Sequence, residues 1–140
     1  MKKFALILLA LVALTAQAGV KIVHWVAPSG ANVYFVETHE LPMLDVQIDF
    51  PAGSAFDPPG KAGVAALAQG MLDSGAGDLD EEQLVERIAD LGAQMGGSVD
   101  NDRAGLSVRT LSSQKERDAA LALLRTMLAQ PTYPEAALAR

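Results

Sequence analysis

The segment Leu44-Asp45-Val46-Gln47-Ile48-Asp49-Phe50 alternates strictly between apolar and polar residues. Successive side chains of a β-strand point to opposite faces of a sheet, so the pattern places the apolar side chains on one face and the polar ones on the other. Alternation of this kind is typical of an antiparallel sheet with one buried and one solvated face. The segment therefore predicts such a sheet at the centre of the fold.

Further strands are predicted on both sides of this segment, in two hairpins. Residues 21–26 and 32–37 are rich in β-branched and aromatic residues and are separated by the turn sequence Pro28-Ser29-Gly30. Residues 94–99 form a weak strand interrupted by two glycines, whereas residues 104–111 alternate clearly between two faces. We expect each pair of strands to form an antiparallel hairpin.

Two helices are predicted between these hairpins. Residues 62–74 are apolar on nearly every side and are followed by Gly75, a pattern that predicts a helix buried on most faces with a glycine C-cap. The second helix begins after Asp80, the predicted N-cap, with Gln83 three residues further on, and it ends before Gly92. Its apolar stripe consists of Leu84, Ile88 and Leu91.

Two more helices are predicted near the end of the sequence. Ser113 and Glu116 have the spacing of a capping box, and the helix that they open ends before Pro131. Its apolar stripe consists of Leu121, Leu124, Met127 and Leu128. Pro134-Glu135 opens a further helix that continues to Arg140 without a C-cap, so we expect the sequence to be part of a longer domain.

The first 18 residues have the three parts of a signal peptide. Lys2 and Lys3 form the positive n-region, residues 4–14 are an uninterrupted apolar run, and Ala16-Gln17-Ala18 is a small-x-small cleavage site. The apolar run spans about 16 Å as a helix, which is too short for the ~30 Å hydrocarbon core of a bilayer. We therefore predict a periplasmic or secreted protein without a membrane anchor, with residues 19–140 as the mature chain; a permanent anchor is the weaker alternative.

The composition excludes several classes of protein. Half of the residues are apolar and 20% are charged, which excludes an intrinsically disordered chain, and the absence of cysteine excludes a disulfide scaffold. The formal charge of −6 becomes −8 when cleavage removes Lys2 and Lys3, because no acid is lost with them. Binding to phosphate groups needs a clustered basic surface, so nucleic acid is excluded as a partner.

Six short motifs occur in the order and at the intervals found in one family of peptidases. They are Pro28-Ser29-Gly30-Ala31-Asn32-Val33, His39-Glu40-Leu41-Pro42, Ala52-Gly53-Ser54, Pro58-Pro59-Gly60-Lys61-Ala62-Gly63, Met71-Leu72 and Leu91-Gly92-Ala93. On these motifs, residues 25–140 resemble the N-terminal half-domain of the pitrilysin/insulinase metallopeptidases (inverzincins), which include the mitochondrial processing peptidase subunits. The resemblance implies an α+β fold with an antiparallel sheet backed by helices, and it implies that residues 19–140 are only the N-terminal part of an insulinase-like peptidase domain.

Active members of this family carry H-x-x-E-H on the first helix. Positions i and i+4 share a helix face, so the two histidines can hold one zinc ion while the glutamate serves as general base for the bound water. The corresponding residues here are Ala66, Gln69 and Gly70. Alanine and glycine offer no ligand atom, and glutamine offers only a neutral amide. The third ligand of the family, a glutamate, would lie beyond Arg140. We therefore predict no catalytic residue, no metal site and no cofactor in this chain.

The other candidates for chemistry have structural interpretations. His24 lies within a predicted strand and His39 in a polar loop, so both are assigned ordinary structural or solvated roles rather than metal ligation. The acidic run in residues 78–82 complements the dipole of the helix that follows and lacks the spacing of a calcium loop. Residues 100–102 are predicted to form a turn between two strands. The sequence contains no G-x-S-x-G motif, no P-loop and no cysteine nucleophile.

Three functions are compatible with these observations. The leading hypothesis is a catalytically silent subunit in a heterodimer for proteolysis, which helps a zinc-peptidase partner with intact H-x-x-E-H to bind its peptide substrate; zinc is expected only in that partner. The second is a freestanding periplasmic binding or scaffold protein with the peptidase fold. The third is an active zinc metalloendopeptidase that uses unrecognised ligands. Co-purification with such a partner would favour the first, and stoichiometric zinc would favour the third.

The signal sequence leads to a prediction about the mature protein. We expect cleavage after Ala18, so that the exported chain begins at Gly19, because the charged, apolar and small-residue segments all have the required order. Mass spectrometry of the protein recovered from the periplasm or medium tests this. A protein that begins at Met1, or that is recovered only with membranes, would contradict the prediction.

Overall fold

The computed structural model describes residues 19–139, so the predicted signal peptide and Arg140 lie outside the described residues. Contacts divide the described residues into two compact units, one up to Leu41 and one from Pro42 onwards. None of the helices in residues 19–139 combines the length and the apolar character that a bilayer crossing requires.

The first unit contains the hairpin predicted from the sequence. Strand β1 (Ile22–Val26) pairs antiparallel with β2 (Asn32–Val36). The amide of Gly30 donates a hydrogen bond of 2.8 Å to the carbonyl of Ala27 and closes the turn. Gly30 has a φ of 87°, which glycine adopts without the strain that a side chain would cause. The turn sequence and both strands are therefore confirmed.

The second unit contains the remaining strands and all the described helices. In chain order its strands are β3 (Met43–Phe50), β4 (Gly75–Ala76), β5 (Leu79–Asp80), β6 (Gln94–Val99) and β7 (Ala104–Leu111). Its α-helices are α1 (Val64–Gly70), α2 (Glu81–Asp90), α3 (Gln114–Ala129) and α4 (Glu135–Leu138). A 3-10 turn covers Ser54–Phe56. Strands β3, β7 and β6 form an antiparallel sheet with β7 in the middle, and β4 pairs with β5.

The two faces of the three-stranded sheet differ as the alternation predicts. On the apolar face, Val46 and Met95 lie on either side of Val108, which is 1% exposed. On the polar face, Asp45 lies opposite Arg109, whose guanidinium donates two hydrogen bonds of 2.6 and 2.9 Å to the Asp45 carboxylate. The hydrogen bonds from Arg109 lower the pKa of Asp45 below its ordinary value. The predicted wet face is therefore confirmed.

Helix α3 covers the apolar face of the sheet. Leu124 and Met127 of its predicted stripe are buried, and Leu121 and Leu128 are half-buried beside them. The buried apolar cluster that they join consists of Ala76, Leu84, Ala93, Leu106, Val108, Ala120, Leu123, Leu124 and Met127. An antiparallel sheet backed by helices, the α+β architecture expected from the sequence, is thus confirmed.

Helix α2 has both of its predicted ends. The carboxylate of Asp80 accepts a hydrogen bond of 2.9 Å from the amide of Gln83, and the side-chain oxygen of Gln83 accepts one of 3.1 Å from the amide of Asp80. This reciprocal capping box satisfies two amides at the start of the helix. Beyond the last turn, Gly92 has a φ of 58°, in the left-handed region that favours glycine.

The helix predicted over residues 62–74 is shorter and more exposed than expected. Helix α1 covers only Val64–Gly70, and none of these described residues is buried. On its N-terminal side, Gly60 and Gly63 have φ values of 77° and 98°, so the chain cannot be helical there. Gly75 is not a C-cap: it belongs to β4 and has an extended φ of 159°. After α1 the chain forms turns over residues 71–74 and enters the β4–β5 hairpin at Gly75.

Two features at the ends of the last helices also differ from the sequence interpretation. The hydroxyl of Ser113 donates to the carboxylate of Glu116 and makes no hydrogen bond to a helix amide, so the predicted capping box is wrong. This hydroxyl lowers the pKa of Glu116. Helix α3 ends at Ala129, as the position of Pro131 predicts. The last helix is a single turn and ends at Leu138 rather than continuing to the end of the chain.

Leu84 provides a test of the core. It belongs to α2 and is fully buried, so Leu84→Ala is expected to lower the free energy of unfolding by about 2–5 kcal/mol through lost burial and the cavity left behind. The matched control is Val85→Ala, because Val85 is the next residue of the same helix and is 60% exposed; its effect should stay within about 0.5 kcal/mol. Denaturant unfolding of the purified full chain measures both. Equal losses for the two variants would contradict this assignment of the core.

Candidate functional site

Helix α1 carries the three positions that correspond to H-x-x-E-H, and an aspartate outside the helix holds its N-terminus. The Asp57 carboxylate accepts hydrogen bonds from the amides of Gly63 (2.6 Å) and Ala65 (2.8 Å). The first amides of a helix have no partner within the helix, and a negative charge near them interacts favourably with the helix dipole. Asp57 therefore caps the helix from outside it, because Gly63, the N-cap residue, has no side chain.

The position of Asp57 depends in turn on the loop between β6 and β7. The amides of Ser54 and Ala55 donate to the carbonyls of Asp100 (3.0 Å) and Asn101 (2.8 Å). Gly53 precedes this contact and is buried, and a Cβ there would lie 2.5 Å from the backbone of Asn101 and Arg103. Only glycine permits the two loops to approach this closely, so the loop contact fixes the start of the segment that leads to α1.

Asp100 stabilises the loop on the other side of this contact. Its carboxylate accepts hydrogen bonds from the amides of Arg103 (2.7 Å) and Asp102 (2.8 Å), and these bonds lower its pKa from the ordinary 3.8. A lowered pKa means that the ionised form is favoured in the folded state. This contribution to stability is present above pH 3.8 and is lost as the pH falls through the lowered pKa. The predicted turn at residues 100–102 is therefore confirmed.

The structure places the three motif positions together on α1 but gives them no chemistry. Ala66 and Gly70 are exposed, and Gln69 is half-buried. The side-chain amide of Gln69 packs against Gly97 in β6, where a Cβ would overlap its Nε2 atom and lie 2.7 Å from its Cδ atom. Zinc in proteins is held by cysteine, histidine or carboxylate side chains, and α1 offers none of these at the three positions. The residues present do not fit the family's zinc ion.

A groove of about 190 Å³ lies beside Gln69, between α1 and the sheet. Its walls are mostly apolar, and the polar groups among the lining side chains are the carboxamide of Gln69 and the hydroxyl of Tyr133. The lining residues are Phe50, Ala52, Ala65, Ala68, Gln69, Leu72, Ala104, Gly105, Leu128 and Tyr133. We call this surface the α1 groove. A second groove of about 300 Å³ runs between β3 and α3, with Arg125 as its only charged residue.

The histidines have local partners and do not meet one another. In the hairpin, Nε2 of His24 lies 3.1 Å from Oδ1 of Asn32, and the His24 ring stacks on Tyr34 with centroids 4.6 Å apart. His39 lies 3.3 Å from a carboxylate oxygen of Glu37. In the part of the chain that the structure describes, no three histidine or acidic side chains come together as a metal site would require.

Two residues that matter for the position of α1 were not identified from the sequence. Asp57 lies in a stretch rich in proline and glycine, where its role as a cap for a helix starting seven residues later has no sequence signature. In the sequence, Gly97 signals only a weakened strand. In the structure its missing side chain makes room for Gln69.

Comparisons with known proteins agree with this fold. The family model for insulinase (peptidase family M16) matches residues 33–140. The chain therefore belongs to the insulinase family. The resemblance to its N-terminal half-domain is confirmed.

Two solved structures show how much of a relative the chain represents. The structure described as the peptidase M16 inactive domain from Pseudomonas fluorescens superposes with a TM-score of 0.82 and 38% identity, over 86% of this chain and 29% of that one. A protease from Helicobacter pylori has a TM-score of 0.71 at 17% identity, over 84% of this chain and 28% of that one, and this match shows the fold alone. The comparison with curated proteins gives no match. The chain thus spans less than a third of the length of either solved relative.

The donor set of α1 leads to a prediction about metal binding. We expect the purified mature chain to hold no zinc above background after dialysis, because Ala66, Gln69 and Gly70 supply no zinc ligand. The triple variant Ala66→His, Gln69→Glu, Gly70→His should bind zinc weakly at most and cleave no peptide, because it still lacks the third ligand.

Elemental analysis and a peptide-cleavage assay measure these two outcomes. About one zinc per wild-type chain would contradict the first expectation. Cleavage by the triple variant that a chelator abolishes would contradict the second, and it would place a third ligand within this chain.

Proposed function

We propose that this chain is an exported, catalytically silent insulinase-like subunit that helps a zinc-peptidase partner bind its peptide substrate. The observation that carries the proposal is that α1 is folded and held at its N-terminus by Asp57, yet its three motif positions carry no metal ligand and no base. A helix that keeps its place without its chemistry is expected of a subunit whose contribution is binding.

The chemistry of Gln69 supports this proposal. A general base must accept a proton from water near neutral pH, and a carboxamide does not do so. What such a chain can add to a peptidase is binding energy and orientation of the substrate, while proton transfer stays with the partner. The Pseudomonas fluorescens relative, which is described as an inactive domain, supports the same conclusion.

Co-expression with a sister insulinase-like chain that carries intact H-x-x-E-H tests the proposal. We expect the two chains to co-purify after export, and we expect the complex to have a lower KM for peptides than the partner alone. Replacing the glutamate of the partner's motif by glutamine should abolish cleavage. Ala66→Ser in this chain should leave cleavage unchanged, because Ala66 is exposed and has no role in the proposed chemistry.

Each other outcome selects one of the alternatives. If the chain is exported and binds peptides without associating with any such partner, the freestanding binding or scaffold protein replaces the proposal. If the chain alone cleaves peptides and holds stoichiometric zinc, it is an active metalloendopeptidase and the proposal is wrong.

A further inference from the structure

Helix α1 has few contacts that could determine its position. It contains 7 residues, and none of them is buried in the described part of the chain. Isolated helices shorter than about 12–15 residues are marginal in water, so α1 must be held by interactions with its surroundings. At its N-terminus, the Asp57 carboxylate supplies two hydrogen bonds. At its C-terminal end, the C-cap residue Met71 is buried and Gln69 contacts Gly97.

Gly97 is a glycine because of that contact rather than because of its backbone. Its φ is not in the left-handed region, and it lies within the regular ladder between β6 and β7, opposite Leu106. An ordinary side chain could therefore adopt this conformation. The main obstacle to one is the end of the Gln69 side chain, because a Cβ on Gly97 would overlap Nε2 and lie 2.7 Å from Cδ, whereas the carbonyl oxygen of Gly105 would lie 3.3 Å away.

Gln69 is suited to this position because its side chain is uncharged. It is half-buried in a mostly apolar groove and makes no side-chain hydrogen bond with the described residues. A carboxylate in the same place would lose part of its hydration with no hydrogen-bond donor already bonded to it, which is unfavourable. The residue at the position of the family's general base thus has the properties of a packing residue.

We infer that Gln69 is a positioning residue whose amide, packed on the backbone of Gly97, holds α1 against β6 and fixes one wall of the α1 groove. Gln69 and Gly97 form a coupled pair: the long side chain of one requires the missing side chain of the other. This inference is independent of the proposed function, since it concerns how α1 is held and not whether a partner or a peptide binds.

Hydrogen exchange over residues 64–70 in the full chain tests the pair. Gly97→Ala should displace Gln69 and increase exchange in α1 by about tenfold or more. Gly96→Ala is the matched control, because its Cβ would meet only Ser107 Oγ at 3.6 Å, an ordinary contact; it should change exchange by less than about threefold. The double variant Gln69→Ala, Gly97→Ala should exchange at the rate of Gln69→Ala alone.

The double variant keeps the test decisive if Gly97→Ala does not fold. In that case, recovery of a folded chain when Gln69→Ala is added supports the pair, and failure to recover overturns it. The inference is also overturned if Gly96→Ala and Gly97→Ala have equal effects, or if the effects of Gln69→Ala and Gly97→Ala simply multiply in the double variant. Simple multiplication would mean that the two residues act independently.

Discussion

The pairing of β7 with a strand on each side is the interaction on which the second unit depends. Strand β7 binds β3 along one edge and β6 along the other, and its apolar face packs under α3. Because side chains alternate with a period of two, a slip of one residue would turn Leu106 and Val108 to solvent and bury Arg109. The alternation has one cost: Thr110 falls on the buried face, and its hydroxyl has no hydrogen-bond partner in the described part of the chain. A buried polar group without a partner costs about 1–3 kcal/mol, which the surrounding apolar burial must offset.

The same strand determines where the candidate site lies. The turn before β7 presents the carbonyls that accept hydrogen bonds from the amides of Ser54 and Ala55. The segment that follows Ala55 presents Asp57 to the start of α1. Helix α1 is therefore positioned through loops and a neighbouring edge strand rather than through a buried apolar face of its own. The contacts that hold α1 in place are therefore different from the contacts that stabilise the sheet.

The sequence predicts the elements with clear periodicity or reciprocal capping, and it fails where tertiary contacts decide. The alternation around Val46 and the capping box at Asp80 are local patterns, and both are found in the structure. The limits of α1 are not set by a local pattern, because the chain turns over residues 71–74 and then pairs as β4 with β5. The capping box predicted at Ser113 fails for a local reason, because its hydroxyl donates to the Glu116 carboxylate three residues further on and accepts no hydrogen bond from a helix amide.

For the candidate site, the sequence identifies which residues are present and not what they touch. The motif positions follow from the resemblance alone. The contact between Gln69 and Gly97 joins residues far apart in the sequence, and each looks unremarkable by itself. The capping by Asp57 likewise has no sequence signature. Two glycines with a positive φ lie between Asp57 and the helix, and no helix pattern includes them.

The external cap on α1 has a consequence for how this family can diverge. Since Asp57, which lies before the helix, accepts hydrogen bonds from the amides of Gly63 and Ala65, this cap needs no side chain at position 66 or 70. Mutations at those two positions therefore leave this cap in place. The cap of the helix and the metal-ligand positions thus depend on different residues, so architecture is a poor guide to which members retain activity.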